Sequence, residues 1–151
     1  MNCSMPALKL ALEKAGFENV KTLLSSGNAA FDSRSTSVPA IEKKVEAASG
    51  FMAFVRPVRE LQALVASDPY KGAPVPAEAK RIVTFLRSAP KGLKLPVERD
   101  GARLVRIEGA TLFGAYERSD KGPVFMVLIE KSVGKEQTTR TWQTVERASK
   151  A

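Results

Sequence analysis

The sequence predicts an α+β protein whose two halves each mix strands with helices. Three observations carry this. Apolar stripes at helical spacing alternate with short β-branched or aromatic runs, Asp100-Gly101 separates two such runs as a hairpin turn, and Gly72, Pro74 and Pro76 punctuate the middle of the chain. The 151 residues suit one domain or two small subdomains. The boundary is expected between Asp68 and Lys80, giving subdomains 1–75 and 76–151.

The elements follow in order. Ser4 caps a first helix whose Leu8, Ala11, Leu12 and Ala15 share a face, and Gly16 ends it. Val20 to Ser25 and Ala29 to Phe31 read as extended segments joined by a Ser26-Gly27-Asn28 turn. Ser37 caps a second helix with Ile41, Val45 and Ala48 inward and Gly50 as its stop. Glu42 and Glu46 share a turn of that helix, and with Lys43 and Lys44 nearby they predict a solvated face. Phe51 to Val55 predicts a strand, and Leu61, Leu64 and Val65 a short helix ending before Asp68-Pro69.

In the second half, Ile82 to Leu86 predicts a strand, followed by a Pro/Gly/Lys loop from Pro90 to Pro96. Val97 to Arg99 and Ala102 to Ile107 flank Asp100-Gly101 as a hairpin, and Thr111 to Tyr116 is a further strand. Phe125, Leu128, Ile129 and Val133 make a helix stripe closed by Gly134, and Val127 beside it predicts a largely buried helix. Thr138 to Thr141 is extended, and Thr141 caps a last helix from Trp142 to Ala148. Both halves are expected to hold mixed sheets with helices on one face.

Composition excludes several functions. There is no histidine, which removes imidazole-based nucleophilic triads and His-based metal sites. With one cysteine, Cys3, no internal disulfide forms and no cysteine zinc site can be built. The longest apolar run, Val124 to Ile129, is far short of the roughly 20 residues that cross a bilayer, so no membrane is expected. The segment Met1 to Pro6 lacks a secretory pattern, and a cytoplasmic protein is expected. No cofactor is expected, because no Gly-x-Gly-x-x-Gly occurs and Ile129 stands where a phosphate loop needs glycine before Gly134-Lys135.

Net charge is +8, and it is uneven: Lys80 to Arg106 holds eight basic and two acidic residues, +6 in one segment. A basic surface of this kind attracts nucleic acid or another polyanion. Arg81, Arg87, Lys91, Lys94 and Arg103 are its candidate contacts, with Arg81, Lys91, Lys94 and Arg103 expected exposed and Ile82, Phe85 and Val105 buried between them. Phe113 and Tyr116 lie near basic residues, but the aromatic signature of an RNA-binding sheet is absent, so core packing is expected for Phe113.

Two stretches carry a resemblance. The first is Leu12-Glu13-Lys14-Ala15-Gly16-Phe17, followed by Ser26-Gly27-Asn28-Ala29-Ala30-Phe31-Asp32. The second is Thr138-Thr139-Arg140-Thr141-Trp142-Gln143-Thr144-Val145. Together they resemble the uncharacterised, mainly bacterial family known as domain of unknown function 1697. Ser25, Thr141 and Gln143 depart from the Gln, Asn and Asn usual there. Members open with a strand and an Arg-Gly-Ile-Asn-Val-Gly-Gly-type loop, and here that unit is absent before the first helix. The resemblance implies two α-β plait (ferredoxin-like) subdomains, the first lacking its opening strand, and no activity. A gene start upstream of Met1, a homo-oligomer or a partner that completes the first sheet is the corresponding expectation.

These motifs place candidate binding residues at Ser26, Gly27, Asn28, Thr138, Thr139, Arg140 and Thr144, and no catalytic residue. Arg140 is the main functional candidate, and Trp142 the anchor of the last helix. The leading function is polyanion binding. The alternatives are a structural or oligomerisation module, and an enzyme acting on a phosphorylated or anionic small molecule.

Overall fold

In a computed structural model, which describes residues 4–23, 27–73, 75–118 and 120–151, the chain forms two compact units. The first comprises residues 1–62 with 146–151, and the second residues 63–145. A single cut does not separate them: residues 63–75 group with the second unit, and the chain end returns to the first.

The first unit runs α1 (Met5–Lys14), β1 (Glu18–Leu23), β2 (Asn28–Asp32) and α2 (Val38–Ser49). Ser4 accepts a hydrogen bond from the Ala7 amide at the start of α1, and Gly16, at φ 99°, turns the chain out of the helix into β1. β1 and β2 form an antiparallel pair. Leu8, Leu12, Phe17, Val20, Ile41 and Val45 form the core, with Ala29, Phe31, Ala53 and Val55 packed against it.

Phe51 to Val55 does not form the strand its composition predicts. Alternate residues still reach the core, but carboxylates stand where a neighbouring strand would offer carbonyls. Glu46 accepts from the Ala53 amide at 3.1 Å and Glu42 from the Val55 amide at 2.9 Å. That overturns the solvated-face reading of this pair. Glu42 is only 8% exposed, because it turns inward to satisfy backbone donors beside the core and lies 3.7 Å from Arg56.

α3 (Val58–Ser67) spans the division between the units. The second unit then runs β3 (Lys80–Leu86), β4 (Val97–Arg99), β5 (Ala102–Glu108), β6 (Thr111–Tyr116), α4 (Val124–Val133) and β7 (Gln137–Thr141), and α5 (Trp142–Ala148) follows. The sheet order is β4-β5-β6-β3-β7. Setting β4 aside, this is the strand order of an α-β plait, with the Pro90 to Pro96 loop where the plait's first helix would lie. The fold class is α+β and plait-like. Every strand pair is antiparallel, so the expectation of mixed sheets is corrected: the hairpins at β4–β5 and β5–β6 reverse the chain directly, and β7 returns beside β3 after α4.

Asp100 and Gly101, at φ 47° and 89°, make the β4–β5 turn as the sequence predicts. The core joins Ile82, Ala102, Leu104 and Leu112 of the sheet with Leu128 and Ile129 of α4. α4 is less buried than predicted: Met126 is 37% and Val127 44% exposed, since the helix packs one stripe on the sheet and leaves the other face to solvent. Among the described residues no helix is long and apolar enough to cross a membrane.

Candidate functional site

Cross-strand partners share a face of a sheet, so the register of the second unit shows which basic side chains meet. Arg81 and Arg103 both pair with Ala115, and Glu98 follows Arg103, giving one row across four strands. The next row of that face is Arg140, Val83, Phe113 and Arg106. Residues far apart in sequence thus surround an apolar centre, in which Val83, Phe113 and Ala115 are fully buried. Phe113 is core, as predicted. Arg106 was missed by sequence reading. Its place became visible only through the bulge at Val105, which shifts the β5 register by one residue.

Two expectations about burial on this strand are corrected. Val105 is half-buried instead of buried, because it sits at the irregularity between Leu104 and Arg106. Arg103 is half-buried instead of exposed, and its guanidinium lies 3.3 Å from the Glu98 carboxylate. Ile82 and Phe85 are buried, and Arg81, Lys91 and Lys94 exposed, as predicted.

Tyr70 is the second feature that sequence reading missed. It is 5% exposed and reaches the backbone carbonyls of Ile82 and Gly114, register partners on β3 and β6. Its ring stands edge-on to Phe113 and Trp142, and the Arg81 guanidinium lies 5.1 Å above it. Burial pushes the phenol pKa well above its ordinary value. Trp142, half-buried, is tied to this sheet through Tyr70.

On β7, Arg140 donates to the Thr138 hydroxyl at 2.7 Å and to the Thr139 carbonyl at 3.0 Å. Burial lowers the pKa of its guanidinium, which stays charged. Thr139 turns to the other face, where its hydroxyl lies 2.8 Å from that of Thr84 and 2.9 Å from Gln137. The Thr144 amide donates to the Thr141 hydroxyl at 3.3 Å, and their hydroxyls lie 3.0 Å apart, so this pair caps α5. In the first unit Gly27, at φ 81°, makes the turn into β2, and Asn28 donates to the Leu23 carbonyl at 3.3 Å. Ser26 and Cys3 lie outside the described residues.

The candidate polyanion contacts separate into two groups. Arg87 lies 2.9 Å from Glu136, and Arg103 is paired as above, so both charges are partly neutralised. Lys91 and Lys94 are exposed and have no ion pair among the described residues. Their loop is pinned by Leu93 and Leu95, which pack on the second core. A cavity of about 170 Å³ also opens between Ala102, Tyr116, Arg118, Pro123 and Phe125, where the Tyr116 and Phe125 rings stack 4.0 Å apart.

Residues 1–113 match the family described as protein of unknown function (DUF1697). No curated protein matches the chain. Among solved structures, a conserved bacterial protein from Streptococcus pneumoniae is similar at 17% identity and a TM-score of 0.67, with 99% of this chain and 88% of that chain covered. That likeness concerns the fold. Since the family match spans most of its length, the chain belongs to the DUF1697 family of proteins of unknown function.

Proposed function

We propose that the protein binds a polyanion through the second unit, with Lys91 and Lys94 as principal contacts. The observation that carries this is the Pro90 to Pro96 loop. Leu93 and Leu95 hold it to the core, while Lys91 and Lys94 stay exposed and have no ion pair among the described residues. An ammonium group without a protein partner, carried on a loop anchored to the core, requires little rearrangement of the backbone when it meets a phosphate. The +6 charge of the surrounding segment adds long-range attraction. A cytoplasmic location accords with this reading and with a single cysteine.

The test is the double variant Lys91→Glu with Lys94→Glu. Its stability should stay within about 0.5 kcal/mol of the parent, since both side chains are exposed. Its retention on heparin, a generic polyanion, should fall to a clearly lower eluting salt. Unchanged retention would refute the assignment of the loop as the contact surface.

A further inference from the structure

We infer that the polyanion is double-stranded nucleic acid, held through its phosphates and without base stacking, an inference that rests on the binding reading above. The second observation comes from the aromatic side chains. Proteins that prefer single strands place aromatic rings where unpaired bases can stack. All ten aromatic residues of this chain lie among the described residues, and none is exposed. Phe113, on the sheet face that an RNA-binding plait would use, is fully buried. Tyr70 is occupied by Phe113, Trp142 and Arg81. Tyr116 is half-buried and gives a ring face to Phe125, the two planes only 11° apart.

What remains accessible is charge. Lys91 and Lys94 are three residues apart, so their backbones lie within about 11 Å and one stretch of phosphates can meet both. A duplex offers twice the phosphate density of one strand along its axis, which favours it for a binder that reads only backbone charge.

The experiment is fluorescence anisotropy of the full chain with labelled DNA and RNA duplexes of about 20 base pairs, and with one strand of each alone, from roughly 50 to 200 mM salt. With two or three phosphates neutralised, the duplex slope of log affinity against log salt should be about −2 to −3. A duplex should bind at least about threefold tighter than its single strand, and Lys91→Glu with Lys94→Glu should remove most of that affinity. Whichever duplex binds tighter names the source. Tighter binding of single strands would overturn the inference and leave the polyanion reading standing. So would binding of inorganic polyphosphate alone. Binding of no polyanion at the lowest salt would overturn both.

Discussion

Tyr70→Phe removes one buried hydroxyl and keeps the ring that packs against Phe113 and Trp142. The hydroxyl bridges the carbonyls of Ile82 and Gly114, and its distance to Gly114 is 3.0 Å. A buried hydrogen bond of this kind contributes about 1–2 kcal/mol net, and a domain of this size should then melt roughly 2–8 °C lower. Trp142 is the only tryptophan and lies 5.4 Å from Tyr70, so its emission during urea unfolding follows the second unit. The alkaline limb supplies an independent check. Burial raises the phenol pKa in the folded chain, so the folded state keeps a proton that the unfolded state loses above about pH 10. This group therefore contributes nothing to the pH dependence below that point. Above it, parental stability should fall by up to about 1.4 kcal/mol per pH unit relative to Tyr70→Phe. A variant within about 0.5 kcal/mol of the parent at neutral pH, with the same alkaline slope, would refute the bridging role.

Two further outcomes follow from close contacts. Gly114→Ala would place a methyl group 2.7 Å from the Arg103 carbonyl oxygen and 3.0 Å from Leu104, so it should destabilise the second unit by about 1–3 kcal/mol in the same urea assay. Glu42→Ala should cost about 1–3 kcal/mol by depriving the Val55 amide of its carboxylate acceptor, and hydrogen exchange at Val55 should accelerate while exchange in β6 stays slow.

Local chemistry was sufficient for most elements. Ser4 and Ser37 as caps, Gly50 as a left-handed stop and Asp100-Gly101 as a turn act within a few residues, so the sequence alone determined them. The polar face of α2 was misread because a carboxylate's environment depends on what folds against it. Only the tertiary structure brought the Ala53 and Val55 amides to Glu46 and Glu42. The same holds for the candidate surface. Sequence located the cationic segment, but strand register decided that Arg81, Arg103, Arg106 and Arg140 share a face and that Glu98 and Glu136 neutralise Arg103 and Arg87. Composition counts charges, whereas pairing and burial are set by contacts between residues distant in the chain. That is why Lys91 and Lys94, held outward by Leu93 and Leu95, could be distinguished from their neighbours only in the folded protein.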